Sequence, residues 1–155
     1  MTSRHDPSRA ADSTSNPADR DRGRRSAAVP AHLAGRVLVC ERETGGPLQI
    51  LLRELRCTTT GCRSLEEALR ETACEHFDVA VVVLEHDLLA ADGLLRLLRR
   101  AIPHTPIVLV LDDPSPAARL ATLVVQPFYV AVPPVSRREL SAVMRDALAA
   151  GRKRP

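Results

Sequence analysis

Three short acidic clusters are the residues of this chain best placed to do chemistry: Glu41-Arg42-Glu43, Glu85-His86-Asp87 and Asp112-Asp113. Each directly follows an apolar run, 37–40, 79–84 and 107–111. Carboxylates gathered at strand ends are the oxygen ligands that a hard divalent cation takes. His86 adds a side chain that titrates near neutral pH. Thr44-Gly45-Gly46 offers backbone N–H groups to an anion at a helix start, although Glu41 and Glu43 on the same loop would repel one. Of the four cysteines, Cys57 and Cys62 stand close together, but no second pair of ligands at similar spacing completes a zinc site. No metal ligand set is expected.

The elements around these clusters alternate. Val37-Leu38-Val39-Cys40 is an unbroken apolar run of the kind a buried parallel strand needs. Leu48, Leu51, Leu52 and Leu55 then recur at helical spacing, with Pro47 suited to the first turn. Cys57-Thr58-Thr59-Thr60 predicts a second strand, polar enough for a sheet edge. Ser64-x-x-Glu67 is a capping box that opens a second helix. Val79 to Leu84 is the plainest strand, and Asp92-Gly93 is expected to lead into a third helix through Leu94, Leu97, Leu98 and Ala101. Ile107 to Leu111 predicts strand four. Ser115-Pro116 starts a fourth helix weakened by Thr122, Val124 and Val125. Tyr129 to Val132 predicts strand five, and Ser136-x-x-Glu139 caps a fifth helix that Gly151 is expected to end. Five strands alternating with five helices imply an α/β fold, a doubly wound parallel sheet with helices on both faces.

Composition narrows the function. Aromatic residues are 2% of the chain, too few for the stacking platforms of a single-strand nucleic-acid binder. The net charge of +3 arises in the tails: residues 1–30 hold six Arg and four Asp, and Arg152, Lys153 and Arg154 end the chain. No specific nucleic-acid contact is expected. Residues 1–30 lack Leu, Ile, Phe and Tyr and cannot bury enough apolar surface to offset their ordering entropy. Residues 1–33 therefore read as a disordered charged tail, 34–150 as the domain, and 151–155 as a basic C-terminal tail. No apolar run opens the chain or reaches membrane-spanning length, so a cytoplasmic location without membrane contact is expected.

Residues 36–150 resemble the receiver domain of bacterial two-component response regulators. RVLVCERE stands where that family has a strand and an acidic pair, and FDVAVVVLEHDLLAADGLLRLLRR resembles its phosphoacceptor strand, loop and third helix. TPIVLVL and FYVAVPPVSRRELSAVMRDAL resemble its fourth strand and its fifth strand, Lys-Pro turn and last helix. The resemblance implies a flavodoxin-like or receiver-like (βα)5 fold with strand order 2-1-3-4-5.

By this resemblance Glu85 takes the phosphoacceptor position, Glu41 and Arg42 the acidic pair, Leu111 the hydroxyl-bearing switch position, Val132 the Lys position, and Tyr129 the switch aromatic. Asp87 is the alternative acceptor. Phosphoryl transfer depends on positioning and on neutralising charge. Arg42, Leu111 and Val132 cannot supply a metal ligand, a hydroxyl or an ammonium, and Glu85 is one methylene too long for an aligned displacement. Mg²⁺ binding is expected to be weak or absent, and no cofactor is implied. Glu85 then either imitates a phosphorylated Asp with Arg42 as its counterion, or is a solvated loop carboxylate. The expected function is a stand-alone pseudo-receiver of bacterial signal transduction that is not an enzyme. It docks a protein partner, or a second copy of itself, through helix four, strand five and helix five, where Arg119, Arg137 and Arg138 are expected. No small-molecule substrate is expected. The alternatives are a phosphoaccepting regulator in a phosphorelay and a small anion or cofactor binder of flavodoxin type. The Val132–Pro133 bond is a candidate for cis geometry by the same resemblance.

Overall fold

A computed structural model describes residues 33–84, 88–112 and 115–153. The elements run β1 (Arg36–Cys40), α1 (Pro47–Glu54), β2 (Thr58–Cys62), α2 (Leu65–Cys74), β3 (Val79–Leu84), α3 (Leu88–Ala101), β4 (Ile107–Leu111), α4 (Pro116–Val125), β5 (Tyr129–Ala131) and α5 (Arg137–Arg152). All strand pairs are parallel, in the order β2-β1-β3-β4-β5. The polar second strand is indeed at an edge, and the short β5 forms the other.

Side-chain alternation along the strands divides the core in two. Leu38, Ala80, Val82 and Leu109 face one layer with Leu95, Leu98 and Val125 from α3 and α4. Val37, Val39, Val81 and Val108 face the other, against Leu52 of α1 and Leu140, Met144 and Leu148 of α5. Cys57 and Cys62 belong to opposite layers, so they cannot share a metal. Cys40 and Cys62 pair in register across β1 and β2, and burial pushes both thiols up to about 12. Both stay protonated and inert at neutral pH.

The serine half of each predicted capping box forms at its helix start, while the Glu67 side chain accepts from the Arg63 N–H and that of Glu139 from the Tyr129 hydroxyl. Ser64 Oγ accepts from the Glu67 N–H at 3.2 Å, and Ser136 Oγ from the Glu139 N–H at 3.1 Å. Pro47 occupies the first turn of α1.

Four sequence expectations are corrected. Helix α3 starts at Leu88, so Asp92-Gly93 lies inside it instead of opening it. Asp92 is held there by an (i, i+4) contact with Arg96 at 3.1 Å, and Gly93 is exposed, where it weakens the helix without breaking it. Gly151 does not end α5, which runs through it to Arg152. Leu33, assigned to the tail from sequence, is 7% exposed and packs with Val37 and Leu55, so it belongs to the core. The cis bond joins Pro133 to Pro134, one residue beyond Val132–Pro133.

Candidate functional site

The C-terminal ends of β1, β3, β4 and β5 converge where an open parallel sheet collects its ligands. Of the sequence-predicted residues there, Glu85, His86, Asp87 and Asp113 lie outside the described residues, so the postulated Glu85–Arg42 pair does too. Glu41, Arg42, Leu111, Asp112, Tyr129 and Val132 are described.

Glu41 follows β1 and is 8% exposed. Its Oε1 accepts the N–H of Gln49 at 3.3 Å, across the start of α1. The helix has no side-chain cap of its own, since its N-cap is Gly46. Glu41 therefore satisfies a helix-end N–H that would otherwise be orphaned. Gly46 is required by this seat, because a Cβ there would come within 2.7 Å of the carboxylate. Gln49 locks the same corner from behind. Its side chain is buried, its Oε1 accepts from the Gly45 N–H at 2.6 Å, and Gly45 sits at φ +81°. Sequence reasoning missed Gln49. The available signal was its spacing of three from Leu52, which places a polar residue on the buried stripe. The anion site considered at Thr44-Gly45-Gly46 is thereby opposed, because a carboxylate of the chain itself occupies the helix start.

Burial outweighs the helix N–H groups and, with the charge of Glu43 adding to it, pushes the pKa of Glu41 above the ordinary 4.5. The folded chain holds this proton to higher pH than the unfolded chain. Stability from this group is thus complete below the unfolded pKa and falls as pH rises through the folded one. Glu41→Gln is expected to raise the urea midpoint at neutral pH and to converge with wild type near pH ~3.5. Urea titrations at both pH values check this, and a variant less stable than wild type only at neutral pH contradicts it.

The remaining described positions are apolar or occupied. Leu111 is 5% exposed at the end of β4, opposite Leu84 in register, and packs in the core layer of α3 and α4. Val132 lies just beyond β5, exposed, followed by Pro133 and Pro134. Neither Val132 nor Pro133 brings an ammonium to the site. Tyr129 faces outward, with its hydroxyl donating to Glu139 Oε1 of α5 at 3.1 Å. This hydrogen bond and the charge of Glu139 push the phenol's pKa up. Arg119 and Arg138 are exposed, whereas Arg137 turns toward α1 and lies 3.5 Å from Glu54. No described helix is long and apolar enough to cross a membrane.

Solved structures share this fold. The signal receiver domain of an HD domain-containing protein from Pseudomonas fluorescens Pf-5 matches with a TM-score of 0.68 at 21% identity, over 77% of this chain and 98% of that one. The signal receiver domain of a modulated diguanylate cyclase from Desulfovibrio desulfuricans G20 matches at 0.66 and 22%, over 77% and 98%. The chain has the receiver fold. The receiver domain of a sensor histidine kinase from Pseudomonas aeruginosa PAO1, which carries a magnesium ion in its active-site cleft, matches at 0.66 and 17%, over 75% and 98%. No protein-family model and no curated protein matches the sequence. Within the receiver fold, this chain uses the first carboxylate after β1 to hold a helix start, while Leu111 is buried in the core and Val132, Pro133 and Pro134 follow β5 exposed.

Proposed function

We propose that this chain is a receiver-fold interaction module that signals by docking a protein partner, without phosphoryl transfer, Mg²⁺ or any catalytic step of its own. The observation that carries this is the distribution of exposed apolar side chains. Leu120, Leu123, Phe128, Tyr129, Val130 and Val132 all belong to α4 or the β5 segment, whereas Ile50 and Leu97 are the other large hydrophobics exposed among the described residues. Leu123 is 73% exposed. An apolar set gathered along one sheet edge, with Glu139 and Arg138 beside it on α5, is the composition of an interface with a polar rim. The short β5 leaves few unpaired backbone groups, which favours side-chain docking over strand addition.

The chemistry of the cleft supports the phosphorylation-independent part. Glu41 is committed to α1, Leu111 has no hydroxyl, and the β5–α5 turn has no ammonium. One experiment addresses both parts. Full-length chain is incubated with labelled acetyl phosphate and Mg²⁺, and partner or self-association is compared between wild type and Leu123→Asp. The chain is expected to stay unlabelled, and association is expected to survive that treatment but to fail in Leu123→Asp. Stable label on Glu85 or Asp87, or association indifferent to Leu123, overturns the proposal.

A further inference from the structure

A cavity of about 570 Å³ opens between the β1–α1 connection, α1 and the β5–α5 connection. Val83 and Val110 form its floor on the sheet, Leu48 and Leu51 of α1 form one wall, and Pro133, Pro134 and Val135 form the other. Glu41, Arg42 and Glu43 border it. The volume lies in the range of small-molecule sites, which pair apolar walls with a few polar groups. The β5–α5 turn contributes Pro133, Pro134 and Val135 to the lining, with no charged side chain among them.

The charged rim decides the ligand class. Two carboxylates stand against one guanidinium among the described lining residues, and that guanidinium has an interaction of its own. The start of α1, which would otherwise attract an anion, is occupied by Glu41. An anionic ligand would meet Glu41 and Glu43 without a free helix end to offset them. A bare metal ion would gain nothing from the apolar floor and walls.

We propose that this cavity binds a small amphipathic organic cation, an apolar ring or short hydrocarbon body against Leu48, Leu51, Val83 and Val110, with its ammonium toward Glu41 and Glu43. The site is distinct from the α4–β5 docking edge and stands whether or not that edge binds a partner. The match is one of charge and hydrophobicity together: the body replaces water over apolar walls, and the ammonium meets the acidic rim.

The test uses methyl-labelled full-length chain titrated with tryptamine, and in parallel with indole-3-propionate, which carries a carboxylate on a similar ring. Tryptamine is expected to shift the methyl signals of Leu48, Leu51, Val83, Val110 and Val135 saturably. Indole-3-propionate is expected to bind at least about tenfold more weakly. Glu43→Gln should weaken tryptamine about fivefold, the size of one partly exposed charge pair. Val135→Trp, filling the hollow from its edge, should abolish the shifts. Glu43 is exposed, so Glu43→Gln keeps the test decisive even if Val135→Trp misfolds. Equal binding of the two ligands, shifts scattered outside the cavity, or no shifts with tryptamine overturns the proposal.

Discussion

Arg99→Ala is expected to lower the unfolding free energy by about 3 kcal/mol, the largest effect of any single side-chain truncation argued for this chain. The guanidinium sits between the ends of two helices. Its Nε donates to the Val125 carbonyl at 2.8 Å and its Nη2 to Gln126 at 3.4 Å, both at the end of α4. Its Nη1 reaches the carbonyls of Ile102, Pro103 and Thr105 at 3.3, 3.3 and 3.0 Å, just past the end of α3. A fixed cation here meets the negative ends of two helix dipoles and donates to carbonyls at and just beyond them. Gln126 is one of the few residues with a left-handed backbone, at φ 46°, and its N–H closes α4 on Thr122 at 3.0 Å. Arg99→Lys is expected to recover less than half of the loss, because an ammonium cannot span both helix ends with the geometry of the planar fork. Denaturant unfolding of the three proteins checks this, and a lysine variant as stable as wild type would show that charge alone suffices. The same clamp bears on function. It fixes the end of α4, the helix that carries Leu120 and Leu123, so Arg99→Ala should also weaken association through that edge while the fold persists.

How much of this was legible beforehand follows from the range of each interaction. Strand identities, both serine N-caps and the polar edge strand rest on residues within a few positions of one another, and local pattern reads those directly. The strand order came from the likeness of residues 36–150 to receiver domains, and the sheet bears it out. The start of α3 was misplaced because Asp92-Gly93 looks like a helix opening. Leu88-Leu89-Ala90-Ala91 are good helix formers that carry the helix earlier, and the Asp92–Arg96 contact stabilises it through the glycine. The Glu41 seat was invisible for another reason. It needs Gly46, Gln49 and Gly61 to be close in space: a Cβ at Gly61 would lie 2.6 Å from the Gln49 amide, so the glycine on β2 is what lets Gln49 be buried. The cavity is built from four separate segments and leaves no trace in any local pattern. For the seat and the cavity the missing information was distance between segments.

Gly151→Ala is expected to destabilise the fold by about 2 kcal/mol, although helix propensity alone would make it stabilising by about 1 kcal/mol. Gly151 lies in the last turn of α5, inside the helix. A Cβ built there would stand 2.5 Å from the backbone carbonyl oxygen of Asp78 and 3.5 Å from Pro106 Cδ. That carbonyl cannot retreat. Asp78 leads directly into β3, and its N–H donates to the Arg36 carbonyl at 2.8 Å. The helix cannot easily retreat either, since Arg152 donates to the Ala34 carbonyl and Leu148 packs against the sheet. A shift of α5 large enough to admit a methyl group would therefore cost packing along its buried face. Gly93→Ala supplies the opposing control. Gly93 is also within a helix, but its Cβ would meet nothing within 4 Å, so the same change there should stabilise by about 0.5–1 kcal/mol. Thermal unfolding of the two variants should move in opposite directions. If Gly151→Ala moves upward with Gly93→Ala, the end of α5 is not seated on Asp78. In that case α5, which holds Tyr129 through Glu139, is fixed by its buried face without the seat at its C-terminal end, and the docking edge is less rigid than the close approach of Gly151 to Asp78 implies.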